Sequence, residues 1–376
     1  MATTTMTVFP PSMEFVGTLV DGVRENLTLP VVLAVVIGIL AVDVGVLYIL
    51  LLLVTHTPRP ETESERHYIT VTPGGEKVKG RRLPEVLDEE VEAEVFMSVV
   101  VPAYNEELRI EMMLDEAVEF LNQEFPRSAS SEKGKKGWEI VIVDDGSKDR
   151  TTDVVVDWMR RGVEKGLVRE GDLRIVHLER NRGKGGAVAH GMRHIRGRYA
   201  VFADADGATK FSDLRTLLSR LQSIESTRPS PTNPSKTEHH GIAVGSRAHM
   251  VNSSAVVARS WYRNLLMYGF HTFLHVIGIQ KIKDTQCGFK LFTRDTARLV
   301  FWESHCEGWI FDIECLLIAE EEKVGVEEVS VTWHEVEGTK MNLVRDSVRM
   351  AWDLVVLRAA YAVGVYGGVR RGWRRS

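Results

Sequence analysis

Two carboxylates one residue apart end an apolar run in Val201-Phe202-Ala203-Asp204-Ala205-Asp206-Gly207. In a strand, residues i and i+2 point to the same face. Near a strand's end the chain turns, and both carboxylates can converge on one point. Hard divalent cations take oxygen ligands, and Mg²⁺ or Mn²⁺ commonly shares them with substrate phosphates. Asp204 and Asp206 are therefore candidate metal ligands, Asp206 first. The alternative is a polar turn, since Asp and Gly are favoured there.

Two further clusters carry the same kind of chemistry. Asp144 and Asp145 follow the apolar run 138–143 and can accept hydrogen bonds from a base or a ribose. A strand-to-helix turn with a capping Asp or Ser147 is the competing reading. Lys184 sits among four glycines within residues 183–191. Glycines permit close backbone approach, and a helix N-terminus favours an anion. The spacing is not that of a P-loop, and no Gly-x-Gly-x-x-Gly follows the first strand.

The elements that must position these groups alternate. Strands are predicted over 96–101, 138–143, 173–178 and 199–203, with helices over 108–123, 149–164 and 183–195. Further strands are predicted at 242–244 and 326–333, with a loop running into a strand over 284–292. Helices are expected over 259–276 and 312–324. This alternation predicts an α/β domain with a mostly parallel sheet. Ligands bind at the carboxyl ends of such strands.

With 376 residues, 44% of them hydrophobic, the chain can bury a large core. Its net charge of −5 argues against nucleic acid as a partner. Three cysteines (Cys287, Cys306, Cys315) are too few for a disulfide scaffold and are expected as small buried residues. Residues 1–28 form a leader. Leu29 to Val54 is almost wholly apolar, and as a helix it would reach ~39 Å, enough to cross a bilayer with tilt. It is too long and too far from the N-terminus for a cleaved signal, so an uncleaved anchor is expected despite Asp43. Residues 55–94 read as a charged linker with a short hairpin near Pro73-Gly74-Gly75. Residues 95–335 form the globular domain. Two stretches, 126–137 and 226–240, read as insertions. Residues 336–376 read as amphipathic helices and a basic tail, predicted to lie at the bilayer surface, with a helix packed on the globular core as the alternative.

Pro102-Ala103-Tyr104-Asn105-Glu106-Glu107, Asp144-Asp145-Gly146-Ser147, Arg182-Gly183-Lys184-Gly185-Gly186-Ala187 and Asp204-Ala205-Asp206 together resemble the motifs of family-2 glycosyltransferases of the GT-A fold, in order and spacing. The resemblance spans about Phe96 to Trp333. Asp284-Thr285-Gln286-Cys287-Gly288-Phe289-Lys290 is most similar to the dolichyl-phosphate β-glucosyltransferase subgroup. Mannosyltransferases acting on the same lipid with GDP-mannose share the earlier motifs but resemble this loop less.

The resemblance implies a GT-A sheet behind an N-terminal membrane helix. It implies inverting transfer of glucose from UDP-glucose to dolichyl phosphate, for protein N-glycosylation, at the endoplasmic reticulum membrane with the domain facing the cytosol. It implies that Pro102, Ala103, Tyr104, Glu106 and Asp144 hold the uridine, with Asp145 and Lys184 nearby. Asp204 and Asp206 would hold ribose and metal-diphosphate. Asp312 would stand near the acceptor, unless it is a helix N-cap. A lipid phosphate needs cations, and arginine pairs bidentately with phosphate. Arg247, Arg259, Arg263 and Arg345 are the candidates, Arg247 first. A processive polysaccharide synthase is disfavoured by the single membrane segment. A non-catalytic membrane scaffold is disfavoured by intact Lys184, Asp204 and Asp206. Oligomeric state is open.

Overall fold

A computed structural model describes residues 29–84, 92–127, 136–230, 234–250, 284–336 and 343–366. The chain divides into two compact units, Met1–Thr55 and His56–Ser376.

In the first unit a single helix, α1 (Leu29–Val54), runs for 26 residues with none buried. It is long and apolar enough to cross a membrane.

The second unit is built on a nine-stranded sheet. Its strands are β1 (His67–Val71), β2 (Lys77–Arg82), β3 (Val95–Ala103), β4 (Trp138–Asp144), β5 (Leu173–His177), β6 (Gly197–Ala203), β9 (Ile242–Ser246), β10 (Phe289–Thr293) and β11 (Val326–Ser330). A separate hairpin pairs β7 (Ser226–Pro229) with β8 (Thr237–His240). The order across the large sheet is β11-β9-β10-β6-β3-β4-β5-β1-β2. Strands β6, β3, β4 and β5 are mutually parallel. Parallel strands covered on both faces read as continuous apolar runs, and every residue of β4 is buried.

Alternation assigns the two faces. Met97, Val99 and Val101 point into one core with Leu114, Val118 and Leu121 of α2 (Ile110–Glu124) and Val155 of α3 (Thr151–Glu164). Val100, Val141 and Phe202 point into the other with Val188 and Met192 of α4 (Lys184–Arg193). The first core also takes α5 (Leu214–Ile224). The second takes α6 (Arg294–Glu303) and α7 (Phe311–Glu321).

Strand β10 runs antiparallel to both neighbours, with Phe289 opposite Ala203 and Lys290 opposite Phe202. It therefore enters the sheet at the edge where the parallel strands end, and brings the 284–288 loop there.

Two stretches carry more structure than their composition suggests. The hairpin near Pro73 is present, and its strand β1 pairs antiparallel with β5, Tyr68 opposite Val176. The 226–240 stretch carries the β7–β8 hairpin. The C-terminal helix α8 (Leu343–Ala362) packs Met350, Leu354, Leu357 and Ala360 into the second core. One face of α8 is thus taken by the domain and does not lie at a bilayer surface. Val348, Trp352 and Val355 remain exposed on it. The 259–276 helix, the leader 1–28, most of the 126–137 insertion and the basic tail lie outside the described residues.

Candidate active site

All four motif clusters meet at one edge of the sheet, because each follows the carboxyl end of a parallel strand. Asp204 leaves β6 beside the start of β10, and its N–H donates to the Gly288 carbonyl at 3.2 Å. The Asp204 carboxylate lies over Gly288 so closely that a Cβ there would stand 2.0 Å from Oδ2. Asp204 Oδ1 is 2.6 Å from Lys184 Nζ. Burial alone would lower the Lys184 ammonium, yet Asp204, Asp312 and Asp206 raise it above its ordinary value. Asp206 Oδ1 accepts from the Ala208 N–H at 3.0 Å. This fixes the turn and orients the carboxylate. Two carboxylates on a short turn form a hard oxygen donor set, so the residues present fit Mg²⁺ or Mn²⁺.

The next wall is stitched from two loops. The Asn105 N–H donates to Ser147 Oγ at 2.9 Å, and Asn105 Oδ1 accepts from the Lys148 N–H at 2.7 Å. Asn105 takes a φ of 55°, a conformation asparagine tolerates better than most residues. The Glu106 N–H donates to Thr151 Oγ1 at 2.7 Å, and the Glu106 carboxylate accepts from Arg109 Nε and Nη2, each at 2.8 Å. Pro102 and Ala103 lie in β3 opposite Val143 and Asp144 of β4. Tyr104 follows, half-buried.

The two adjacent aspartates do different work. Asp144 is buried and accepts from the Ser147 N–H at 2.8 Å, from Thr152 Oγ1 at 2.5 Å and from His177 Nδ1 at 3.1 Å. Burial pushes its pKa up, but His177, Ser147 and Thr152 hold it below the ordinary carboxylate value. Asp145 turns toward the glycine loop, accepting from the Arg182 N–H at 2.6 Å and the Gly183 N–H at 2.9 Å. Burial pushes its pKa up to about 7 despite those donors. Asp145 thus sets the loop that opens α4. Gly183 has φ +88°, and a Cβ there would stand 2.6 Å from the Glu307 carbonyl. Only glycine fits, and Lys184 follows it into the site.

On the other flank, Arg247 follows β9. Its Nε and Nη2 donate to the two oxygens of Asp284 at 2.7 and 2.9 Å. Its guanidinium lies 5.6 Å from the centre of the Trp333 ring. Burial opposes its charge, but Asp284 raises its pKa. Trp333 in turn bridges to Thr209, just past Asp206. Asp312 sits one residue into α7, so it is not an N-cap. It pairs with Lys290, whose Nζ also donates to the Cys287 carbonyl at 2.6 Å. Both side chains are buried. Burial raises the Asp312 pKa, with Lys290 and Lys184 opposing.

The structure thus brings Asp204, Lys184, Lys290 and Asp312 into one charged network beside Asp206. Arg247 stands on its flank. Arg345 is exposed near the start of α8 and is not among the residues these contacts join. Arg259 and Arg263 lie outside the described residues. The three cysteines are buried free thiols, as their number suggested. Sequence alone does not mark Lys290, Gly288, Thr152 and His177 as site groups. Lys290 and Gly288 lie in the 284–290 motif, which was a signal. Thr152 and His177 gave none, because their role depends on contacts across 8 and 33 residues.

A family model for glycosyl transferase family 2 matches residues 98–273. The chain is 47% identical to the dolichyl-phosphate beta-glucosyltransferase of Saccharomyces cerevisiae over 85% of its length and 91% of that protein. It is 39% identical to the Dictyostelium discoideum protein of the same name, over 85% of this chain and 90% of that one. Against the Homo sapiens protein it is 40% identical over 72% of this chain and 77% of that one. Among solved structures, Mycobacterium tuberculosis glucosyl-3-phosphoglycerate synthase aligns over 70% of this chain and 81% of its own, at 17% identity and a TM-score of 0.43, a likeness too distant to decide anything here. The sequence relatives and the motif edge together place the chain: it belongs to the dolichyl-phosphate beta-glucosyltransferases of glycosyl transferase family 2.

Proposed function

We propose that the chain transfers glucose from UDP-glucose to dolichyl phosphate with inversion at the anomeric carbon. The carrying observation is the convergence of Asp204, Asp206 and Lys184 at one strand-end edge, in a chain 47% identical to a named transferase of this kind. Uridine lies against Pro102, Ala103, Tyr104, Glu106 and Asp144. Asp145 holds the loop that presents Lys184 to the diphosphate. Asp204 and Asp206 would hold Mg²⁺ or Mn²⁺, which would supply positive charge against the departing diphosphate.

The acceptor supplies its own nucleophile. A phosphate monoester has a second pKa of ~6, so at neutral pH it is largely a dianion. One of its oxygens bonds to C1 of glucose on the face opposite UDP. The bond from C1 to the diphosphate oxygen breaks, and UDP leaves with the electron pair. No general base is required, which agrees with Asp312 being neutralised by Lys290. Two phosphate groups must still approach each other. Arg247 serves the acceptor phosphate, which exchanges with Asp284 as its partner. Arg259, Arg263 and Arg345 are further candidates for that role.

A dolichyl chain lives in a bilayer. Helix α1 and the exposed stripe Val348, Trp352 and Val355 of α8 support membrane association. We place the enzyme in the endoplasmic reticulum membrane with this unit facing the cytosol, feeding protein N-glycosylation. The test offers purified protein, dolichyl phosphate and Mg²⁺ with labelled UDP-glucose or GDP-mannose in parallel. Label in the lipid phase from UDP-glucose alone supports the reading. Label from GDP-mannose alone overturns the donor.

A further inference from the structure

A second group of ligand-type side chains lies away from the strand-end edge. His190 in α4 and His194, which caps its end, are one helical turn apart. Glu61, from the segment that precedes β1, reaches both. His190 Nδ1 is 3.5 Å from Glu61 Oε1, and His194 Nε2 is 3.7 Å from Glu61 Oε2. One ligand atom from each of the three lies within 4.8 Å of the others.

These separations are too long for hydrogen bonds, which run about 2.7–3.2 Å. They lie at or a little above the spacing of ligand atoms around one ion. Bonds of about 2.0–2.1 Å to a tetrahedral ion put neighbouring ligand atoms roughly 3.3–3.5 Å apart.

The outer contacts select the nitrogens that face inward. His190 Nε2 is 3.0 Å from the Glu65 carbonyl, and His194 Nδ1 is 2.7 Å from the Pro84 carbonyl. A carbonyl only accepts, so each of those nitrogens carries the proton. In its neutral form each ring then turns a lone pair on its other nitrogen toward Glu61. Those two atoms, His190 Nδ1 and His194 Nε2, are buried and have no hydrogen-bond partner. Metal-binding imidazoles usually donate their far N–H to a carbonyl or carboxylate in this way, which fixes the ring. The His190 side chain is fully buried and that of His194 is nine-tenths buried. Arg193 Nη1 stands 3.6 Å from Glu61 Oε1, while its Nε donates to the Phe301 carbonyl at 2.9 Å.

We infer that Glu61, His190 and His194 form a structural site for zinc or another imidazole-preferring divalent ion, distinct from Asp204 and Asp206. The fourth position falls to water or the second Glu61 oxygen. Such an ion would tie the 56–66 segment to the helix whose first residue is Lys184.

The test uses the full chain in detergent, carrying Asp204→Asn and Asp206→Asn so that the carboxylate pair cannot bind metal. After chelator treatment the protein is loaded with Zn²⁺ alone, and bound zinc is counted by elemental analysis. About one zinc per chain is expected, with a melting temperature raised by about 5–10 °C at roughly 100-fold excess over Kd. Co²⁺ loading should give the intense visible bands of tetrahedral coordination. His194→Ala should lose the zinc; Glu61→Gln keeps the side chain's shape, so it reports even if that variant unfolds. It should lose the zinc and the thermal shift. No zinc in the parent, or equal zinc in Glu61→Gln, overturns the site.

Discussion

Gly288 lies beneath the Asp204 carboxylate, leaving no room for a side chain: a Cβ would stand 2.0 Å from Oδ2 and 2.4 Å from Cγ. The clash falls on the movable end of a side chain, so Gly288→Ala should fold. The carboxylate must swing away, and Lys184 loses its partner. A misplacement of about 1 Å near the chemistry costs roughly 10²-fold. Gly288→Ala should therefore lose about that much kcat/KM with little change in melting temperature. A variant with wild-type turnover would show that Asp204 has no fixed role.

Lys184 separates binding from folding. It is held by Asp204 at 2.6 Å at the start of α4. A hydrogen bond to a charged group contributes about 1.5–3 kcal/mol, or roughly 10- to 150-fold. Lys184→Gln should weaken UDP affinity by that range, read by calorimetric titration. Unchanged affinity would remove Lys184 from the diphosphate.

The buried pair of Lys290 and Asp312 makes a stability prediction. Removing one partner of such a pair costs about 3–5 kcal/mol, because the other charge is left unpaired in the interior. Lys290→Met should lower the melting temperature strongly. Adding Asp312→Asn should restore part of it. Equal loss in the single and double variants would mean the two charges are not coupled.

His177 and Asp144 predict a pH dependence. The hydrogen bond to Asp144 raises the His177 pKa above 6.5, with burial opposing. That contribution is fully present below the unfolded value near 6.5 and is lost as pH rises through the folded value. Asp144 is lowered, so its contribution is present above about 3.8 and is lost on acidification. The melting-temperature gap between wild type and His177→Gln should be largest between those limits and shrink at alkaline pH. A gap that widens with alkalinity would contradict the pairing.

Much of the site was legible because parallel strands write themselves as apolar runs and the polar residues at their ends stand out. Asp144, Asp145, Asp204 and Asp206 needed only that pattern. The direction of β10 did not show, since a short buried strand reads the same either way. With it went Lys290 and Gly288, whose partners are set by register with β6. Strand β2, Lys77-Val78-Lys79-Gly80-Arg81-Arg82, is a charged edge strand with little hydrophobic signal. Helix α8 carries apolar residues on two faces, so its pattern alone could not say which one meets the core. Glu61, His190 and His194 are joined across more than 120 residues, beyond any local reading.

The most direct measurement is the rate of glucose transfer to dolichyl phosphate by Asp206→Asn at saturating Mg²⁺, beside wild type. A loss of at least about 10²-fold is expected, the scale of removing one electrostatic contact to developing charge, with an unchanged melting temperature. A wild-type rate in Asp206→Asn would contradict it.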